Sequence, residues 1–534
     1  MAATLAGAPR SHAASRAFFL RVPRPLLLPL ALAAALVVVT SVPYVYAYAT
    51  QPRGHEFLGF FFLADDANTY LAKMREGLQG SWLWTNHYTM EPSPGAYFFT
   101  FWLALGHLAG VAHLSLIVTY QAARVVGAFA LLLAAWMFIC HFVEEPAARR
   151  FAIVFCALGL GWGYVIQALG HPLILGVRSD TLDWRMPELS VFYSVLALPH
   201  FVWAAAFQAA AAVLTLRAAD KGSLRLAALA GLAWLGESSI HAQMPILVGG
   251  AVVVAAVARP VGRRGWAAVG LALAIAAPYI AYSYLGYRTS PEVARWSDGW
   301  RNNLPPEGVS LLLALGPQLA LALLGLPGAL RRRSREDVFL LAWLVLLIAI
   351  LWLPTPAANL RRRFFDGVYL PLVVLAARGL YEQVVPRLRS LRMRRLIPFT
   401  YVVVAAVGSA FLVLAPLKFA ARPPYTMPAA QLSGVTWLAK EPTGAVLSSP
   451  SMGLLVPAYT SDTVYVGQYS ETYRYAEKGR QAYRLLTGRA DLRAFVNAEG
   501  IRYVLWTDEF GGRPPSVLGK PAYSAPGVRV YRLY

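Results

Sequence analysis

Leu63-Ala-Asp65-Asp66-Ala-Asn68-Thr-Tyr70 places two adjacent carboxylates shortly after the first long apolar run, residues 26–48, and Glu91-Pro92 follows a short way downstream. Burying an unpaired charge is costly, so these aspartates must face water, pair with a cation or titrate. Their position at the mouth of an apolar run indicates a chain built around a membrane interface. We therefore predict that this stretch is the chemical centre.

Composition predicts a polytopic membrane protein. Of the 534 residues, 57% are hydrophobic and only 14% are charged. This hydrophobic fraction exceeds what a soluble core of this length needs. Many apolar runs approach the roughly 20 residues that span a bilayer as a helix. Cys140 and Cys156 both lie in apolar runs, so no disulfide framework is predicted.

Eleven apolar runs are predicted to be transmembrane helices. They are 26–48, 114–142, 150–169, 195–216, 224–238, 242–258, 266–285, 308–330, 337–354, 366–385 and 396–418. The run at 97–112 is interrupted by His107 and Gly110, and we interpret it as an interfacial or half-inserted helix. Counting it as a span would invert every later loop.

Basic residues support this topology. The formal net charge of +21 raises nucleic-acid binding as an alternative. However, the arginines of the N-terminus and of segments such as 331–335 and 387–395 fall on one side of the membrane, whereas the other side is nearly balanced. Cytoplasmic loops collect Lys and Arg, so the excess indicates orientation. We expect a multi-pass inner (cytoplasmic) membrane protein with a cytoplasmic N-terminus and no nucleic-acid partner.

Three regions follow from this pattern. We expect a cytoplasmic N-terminal tail at 1–25, a transmembrane domain at 26–421 whose first outer loop is 49–113, and a soluble extracytoplasmic domain at 422–534. In the last region, β-like runs at 445–449, 463–466, 502–506 and 528–532 alternate with helical runs at 431–440, 471–487 and 489–499. This alternation predicts a small α/β domain. Ala47-Tyr-Ala49 resembles a signal-peptidase site, but the preceding run is long for a signal sequence, so cleavage is the lesser alternative.

The acidic pair has a structural interpretation besides that of a chemical centre. Aspartates are favoured at helix starts, so Asp65 and Asp66 could simply cap a helix. That helix would carry an apolar stripe formed by Ala67, Tyr70, Leu71, Met74 and Leu78. The spacing predicts an amphipathic helix on the membrane surface.

Candidate phosphate ligands lie far from this pair in the sequence. Arg361, Arg362 and Arg363 occupy a predicted outer loop, against the positive-inside trend, and arginine forks suit phosphate oxygens. Interfacial snorkelling or pairing with Asp366 is the alternative. Arg124, inside a predicted span, needs a partner that is either a loop carboxylate or a bound phosphate.

Other polar residues are candidates to line the cavity or bind an acceptor. Glu237, His241 and Gln243 fall at the joint between two short spans, where a polar cavity and a hydrogen-bonded turn are equally consistent with the pattern. The full set is Tyr70, His87, Tyr88, Glu237, His241 and Gln243.

At these residues the chain resembles the GT-C superfamily of polyprenyl-phosphate-sugar-dependent glycosyltransferases, which includes protein O-mannosyltransferases and lipid A aminoarabinose transferases. Leu63-Ala-Asp65-Asp66-Ala-Asn-Thr-Tyr70, with Gly80-Ser-Trp82 after it, is similar to the acidic motif and aromatic helix of their first outer loop. Glu91-Pro92 resembles a Glu-Lys-Pro segment, although this chain lacks the lysine. Arg361-Arg-Arg-Phe-Phe-Asp-Gly-Val-Tyr-Leu-Pro371 resembles the start of a late span, and Gly231-Leu-Ala-Trp-Leu-Gly-Glu-Ser occupies the place of a Leu-Thr-Lys turn.

The resemblance implies a mechanism. Asp65 would act as the base, Asp66 and Glu91 would orient acceptor or donor, and the phosphate would be held by Arg361, Arg362, Arg363 and Arg124. The sugar would leave a polyprenyl phosphate, held among membrane lipid, for a hydroxyl of an unidentified protein, lipid or glycan, with inversion. No cofactor is required, and a divalent cation (Mg or Mn) on Asp65 and Asp66 is an open expectation. A lipid or solute transporter, a flippase and a noncatalytic membrane scaffold are the alternatives.

Overall fold

The computed structural model describes residues 23–291, 293, 308–352 and 358–533, and for residues 358–360 it describes the backbone only. Most of the predicted N-terminal tail, residues 1–22, lies outside this described part.

The described chain is mostly helical. Its helices are α1 (Leu27–Thr50), α2 (Ala64–Leu78), α3 (Thr100–Ala112), α4 (Leu116–Phe142), α5 (Pro146–Leu158), α6 (Gly163–Ala168), α7 (Val191–Ala197), α8 (Pro199–Lys221), α9 (Leu224–His241), α10 (Met244–Ala258), α11 (Arg263–Thr289), α12 (Gly308–Arg332), α13 (Arg335–Trp352), α14 (Tyr369–Arg378), α15 (Leu391–Leu414), α16 (Ala429–Leu438), α17 (Pro450–Tyr459), α18 (Tyr475–Leu486) and α19 (Leu492–Glu499).

Seven of the described helical segments are long and apolar enough to cross a membrane. They are Arg24–Thr50, Leu116–Phe142, Pro199–Lys221, Arg263–Thr289, Gly308–Arg332, Arg361–Arg387 and Leu391–Lys418. Each coincides with one of the eleven predicted spans. The other four predicted spans coincide with α5 and α6, α9, α10 and α13, which are shorter or less apolar.

The predicted span 150–169 is interrupted. After α5 the backbone leaves the helix, and Leu160 and Trp162 donate hydrogen bonds to carbonyls of α15 and α12 at 2.9 and 3.0 Å. A side chain at Gly161 would overlap the backbone of Ala314 in α12. The glycine therefore permits a close crossing that a continuous helix would not make.

The C-terminal region forms an α/β domain, as predicted. Its strands are β5 (Ala445–Leu447), β6 (Thr463–Val464), β7 (Ile501–Thr507), β8 (Tyr523–Ala525) and β9 (Val528–Arg532), in the sheet order β6-β5-β7-β9-β8. β5 runs parallel to β6 and β7, whereas β9 is antiparallel to β7 and β8. The sequence patterns anticipated four of these strands and missed β8 and the helix α17.

The first outer loop is fixed between the helices and this domain. β1 (His55–Phe57) pairs antiparallel with β4 (Thr426–Pro428), and a separate hairpin is formed by β2 (Leu173–Ile174) and β3 (Val177–Arg178). α2 crosses α3 closely at Gly77 and Gly106, where a side chain at either position would overlap the backbone of the facing helix.

α2 was predicted as an amphipathic helix on the membrane surface, and the structure shows that it is covered on more than its apolar side. α3 covers one side and α17 of the C-terminal domain packs on another, so even its polar residues Asn68, Thr69 and Lys73 are buried. The stripe pattern correctly identified a helix with an apolar face. It did not reveal that a second domain covers the polar face.

Candidate active site

The acidic pair lies in the first turn of α2. The helix follows Leu63, which has left-handed backbone angles (φ 54°, ψ 43°), and no side chain caps the first amides. Asp65 and Asp66 therefore do not act as capping residues, although they lie favourably at the positive end of the helix dipole. Their carboxylates remain free for other partners.

Asp66 is the more enclosed of the two carboxylates. Gln468 of the C-terminal domain donates a hydrogen bond from Nε2 to its Oδ1 at 3.3 Å. Burial raises the pKa of Asp66 to about 6, and the neighbouring Asp65 acts in the same direction, while the positive charge of Arg363 opposes both. Partial burial also raises the pKa of the more exposed Asp65.

The triple-arginine segment approaches the acidic pair from the start of a late helix. Arg362 donates from Nε to Oε1 of the buried Glu188 at 3.0 Å, and Arg363 Nη1 lies 3.8 Å from the same oxygen. The Arg363 guanidinium also lies 5.4 Å from the ring centroid of Phe201 in α8. Glu188 thus fixes both arginines.

Tyr469 marks where the acidic and basic groups meet. It is 41% exposed, and burial raises its pKa to about 12 while the charges of Asp66, Arg363, Asp65 and Arg362 all act on its hydroxyl. We call Asp65, Asp66, Arg362, Arg363 and Tyr469 the outer cluster. The acidic pair and the triple-arginine segment therefore lie close enough for their charges to act on the same hydroxyl.

A buried ion pair attaches the C-terminal domain beside the outer cluster. Lys73 Nζ of α2 lies 2.8 Å from Glu471 Oε1, with side chains 3% and 7% exposed. The Lys73 ammonium also lies 4.4 Å from the ring centroid of Phe99. Because Glu471 and Gln468 belong to one loop, the pair fixes that loop over the start of α2.

Arg361 and Arg124 do not join this cluster in the same way. Arg361 donates from Nη1 to the Leu351 carbonyl at 3.3 Å. Arg124 is 3% exposed and is enclosed by α1, α4 and α7. Its guanidinium donates to Gln121 Oε1 (2.7 Å), Thr40 Oγ1 (3.1 Å), the Val195 carbonyl (3.0 Å) and Ser41 Oγ (3.0 Å). These bonds satisfy Arg124 inside the bundle, so we do not propose it as a phosphate ligand.

Glu91 faces the C-terminal domain. Lys478 Nζ donates to its carboxylate at 2.7 Å, and Thr89 adds a second hydrogen bond. Burial favours the neutral form, but these two partners outweigh it and lower the pKa of Glu91. A cavity of about 200 Å³ lies beside Glu91, with Trp84, Tyr282 and Glu471 in its walls.

The neighbours of Glu91 in the same loop make structural contacts. The Tyr88 hydroxyl lies within hydrogen-bond distance of the carbonyls of Asn68 (3.2 Å) and Leu454 (3.0 Å), so Tyr88 is packed between α2 and α17. His87 Nδ1 lies 3.1 Å from Thr463 Oγ1, and burial lowers the pKa of His87. Neither side chain contacts the acidic pair.

The remaining predicted residues extend from the outer cluster into the helices. Tyr70 stacks on Trp102 with ring centroids 4.2 Å apart, and its hydroxyl lies 3.5 Å from His200 Nε2. Glu237 and His241 belong to the last turns of α9, which extends three residues past the predicted end of its span at 238, and both are buried. Gln243 is half-buried and directly precedes α10.

Sequence reasoning missed several residues of this site. Gln468, Tyr469 and Glu471 lie in a polar stretch of the C-terminal region, about 400 residues after the acidic pair, and no pattern joins the two stretches. Glu188 lies in a short loop whose only signal was an acidic residue beside a proline.

Metal binding at the acidic pair has limited support from the geometry. Within the described residues, the one group of three or more His, Cys, Asp and Glu side chains with suitably close ligand atoms is Glu237, His241 and Asp366. Asp65 and Asp66 have no such third ligand in that part of the chain. The predicted Mg or Mn ion on the acidic pair therefore stays a prediction.

The sequence matches no protein-family model and no curated protein. The structure, however, matches solved membrane glycosyltransferases along most of its length, and the chain has the GT-C fold. At 13–16% identity this likeness establishes the fold alone.

Three solved structures illustrate the match. The oligosaccharyltransferase of Archaeoglobus fulgidus, tethered to an acceptor peptide containing the NVT sequon, shares 13% identity at a TM-score of 0.54, covering 90% of this chain and 69% of that chain. ArnT of Cupriavidus metallidurans, bound to undecaprenyl phosphate, shares 15% identity at a TM-score of 0.51, covering 94% and 97%. The arabinofuranosyltransferase AftD from mycobacteria shares 16% identity at a TM-score of 0.54, covering 93% of this chain but only 41% of AftD.

Proposed function

We propose that this protein is an integral membrane glycosyltransferase that moves a sugar from a polyprenyl-phosphate donor to an acceptor hydroxyl. The observation that carries the proposal is the outer cluster, in which Asp66 and Arg363 lie close enough for their charges to interact. A carboxylate base beside cationic phosphate ligands is what such a transfer requires. We place the reaction at the extracytoplasmic face of the inner membrane, where the positive-inside pattern puts the first outer loop.

The reaction is a single displacement. The acceptor hydroxyl attacks the anomeric carbon, its proton passes to the Asp65 carboxylate, and the carbon–oxygen bond to the phosphate breaks with inversion. Asp65 suits the role of base because it is exposed and its pKa is raised, which strengthens the carboxylate as a proton acceptor. Asp66, held by Gln468, orients the acceptor.

The leaving phosphate gains negative charge as the bond breaks. Arg362 and Arg363 would stabilise it, since guanidinium groups bind phosphate oxygens through paired N–H donors. Glu188 fixes both side chains before the donor arrives, which lowers the entropy that binding would otherwise cost. The lipid chain of the donor would lie among the apolar helices. Solved GT-C structures with dolichol-phosphate and with undecaprenyl phosphate support a donor of this kind.

The acceptor and the metal requirement are open parts of this proposal. The cavity beside Glu91 and Glu471 is a candidate place for an acceptor, and Glu91 would act there as an orienting residue. A divalent cation on Asp65 and Asp66, if one binds, would supply positive charge near the donor phosphate.

The test is to supply the purified protein with a panel of polyprenyl-phosphate sugars and to measure release of polyprenyl phosphate. We expect one donor to be consumed, and we expect Asp65→Asn to lower its turnover by roughly 100-fold or more. Glu56→Gln, which neutralises an exposed carboxylate of the same outer loop, is the matched control and should keep wild-type turnover.

Two outcomes would argue against the proposal. Full turnover by Asp65→Asn would remove Asp65 from the role of base. Movement of a lipid across a reconstituted bilayer without consumption of any donor would favour the transporter or flippase alternative, and the absence of both activities would favour a scaffold.

A further inference from the structure

A second group of ionisable side chains lies within the helices, apart from the outer cluster. Glu237 and His241 are four residues apart on α9, so their side chains lie on the same helix face. Asp366 approaches them from the turn before α14, and His241 Nδ1 lies 3.0 Å from its Oδ2. Glu237 and Asp366 are both 0% exposed, and His241 is 8% exposed.

The carboxylates of this group lack sufficient partners. Both oxygens of Glu237 and the Oδ1 of Asp366 are buried without any hydrogen-bond donor among the described residues. In that same part of the chain, Asp366 pairs only with His241, and Glu237 forms no ion pair. An unsatisfied buried carboxylate is among the most costly features that a folded protein can contain. Something must compensate these oxygens.

A proton shared between the two acids does not account for the arrangement. One shared proton would join a single oxygen of Glu237 to Oδ1 of Asp366, and the second buried oxygen of Glu237 would still have no hydrogen-bond donor among the described residues. A cation placed between the three side chains would compensate the charges of both acids at once.

We propose that Glu237, His241 and Asp366 bind a divalent transition-metal ion, with zinc as the best match. Each side chain offers one ligand atom, and these atoms lie within 4.8 Å of one another. One imidazole with two carboxylates is a donor set that suits zinc, whereas magnesium and calcium prefer oxygen ligands alone. Three protein ligands leave a fourth position for water.

The surroundings hold Asp366 in place for this role. Gly367 has φ +75°, a conformation that favours glycine, and it directs the chain away from Asp366 into α14. Gln208 donates from Nε2 to the Asp366 carbonyl at 3.3 Å. Such outer contacts orient metal ligands in known sites.

The ion would join α9 to the segment that carries the arginines of the outer cluster. Asp366 follows Arg363 by three residues, so fixing Asp366 restricts the backbone from which Arg363 extends. This inference does not rest on the proposed glycosyl transfer, because metal binding can be measured without donor or acceptor.

The experiment uses the full-length protein in detergent. It is stripped with a chelator, loaded with zinc and dialysed, and zinc per chain is measured by mass spectrometry. Cobalt(II) loading reports the ligand geometry from its visible absorption. We expect one tightly held ion in the wild type, and a loss of affinity of at least roughly 10-fold in Glu237→Gln and His241→Ala. The double variant Asp65→Asn/Asp66→Asn should still hold the ion, which separates this site from the acidic pair.

Folding is controlled by thermal unfolding. Without metal, Glu237→Gln should unfold no earlier than the stripped wild type, because it replaces an uncompensated charge with a neutral side chain of the same shape. Added zinc should raise the midpoint of the wild type only. The proposal is overturned if the wild type holds no zinc, if Glu237→Gln and His241→Ala hold it as tightly as the wild type, or if only the Asp65/Asp66 double variant loses it. Each of those results would leave an ordered water or the acidic pair as the explanation.

Discussion

Arg363 and Arg124 show how differently one side chain can be used within the same membrane domain. Arg124 donates hydrogen bonds to four oxygens of α1, α4 and the α7 segment, all of them neutral. Arg363 instead faces the carboxylates of Glu188 and Asp66 at the edge of the outer cluster. Arg124 is 3% exposed, whereas the Arg363 side chain is 25% exposed.

We propose that the difference separates an arginine that stabilises the fold from one that binds the donor phosphate. A guanidinium has five N–H donors, and neutral acceptors around Arg124 use most of them within the fold. Arg363 Nη1 lies 3.8 Å from Glu188, and in our proposal its other donors bind the donor phosphate. The following predictions test this comparison, beginning with the largest expected effect.

Neutralising Arg363 should lower turnover, whereas neutralising Arg124 should lower stability. Arg363→Gln should lower donor turnover by roughly 100- to 1000-fold with little change in stability, because it removes a donor to the leaving phosphate. Arg124→Gln should reduce the free energy of unfolding by about 3 kcal/mol, since it leaves buried acceptors unpaired, while the remaining folded protein keeps its turnover. Turnover and thermal midpoints measure both effects. Arg422→Gln, at an exposed arginine, is the control. Equal loss of turnover in both variants would remove the distinction.

The pH profile should depend on Asp66. Its pKa of about 6 means that turnover should fall roughly tenfold per pH unit below that value, as the carboxylate becomes protonated. The raised pKa also means that the folded state binds the proton more tightly than the unfolded state, whose value is near 3.8. Stability is therefore lost as pH rises between these values, and the cost remains fully present above pH 6.

Asp66→Asn checks both consequences. It should remove the contribution of Asp66 to the acidic limb, leaving only that of the base Asp65, and lower turnover, yet stabilise the protein at neutral pH by on the order of 1–2 kcal/mol. Denaturation measured at pH 4 and pH 7 should show this gain only at the higher pH. A gain of the same size at both values would contradict the assignment.

The Lys73–Glu471 ion pair is as buried as Arg124, but, like the outer cluster, it joins groups of opposite charge. Lys73→Met should destabilise the protein by about 3 kcal/mol, the usual cost of breaking a buried ion pair from one side. Lys73→Met/Glu471→Met should recover part of this loss, which a double-mutant cycle on thermal unfolding measures. Simple additivity of the two single variants would show that the groups do not interact.

Tyr469 should show the smallest effect. Its hydroxyl lies among the charges of the outer cluster, so Tyr469→Phe should lower turnover by about 5-fold, equivalent to one hydrogen bond of ~1 kcal/mol. Tyr483→Phe, on the exposed side of α18, serves as the control. A change in Tyr483→Phe as large as in Tyr469→Phe would indicate a general effect on the domain.

Local patterns predicted much of the architecture. Apolar runs located the membrane helices, and the alternation after residue 422 identified four of the five strands of the C-terminal sheet. The Asp65-Asp66 pair was correctly placed at the start of a helix. The same patterns misjudged the surroundings of α2, because the apolar stripe says nothing about which domain covers the polar face.

The candidate site divides in the same way. The sequence of the chain determined which residue types are available: two adjacent aspartates after the first span, three arginines before a late span, and one arginine within a helix. Only the tertiary structure decided which of these meet, since Asp66 and its partner Gln468 are 402 residues apart and Arg362 and Glu188 are 174 apart. Hydropathy and helical period are properties of neighbouring residues, so the chain carries them locally. Hydrogen-bond partners and burial depend on packing between distant segments, and that packing separated Arg124 from Arg363.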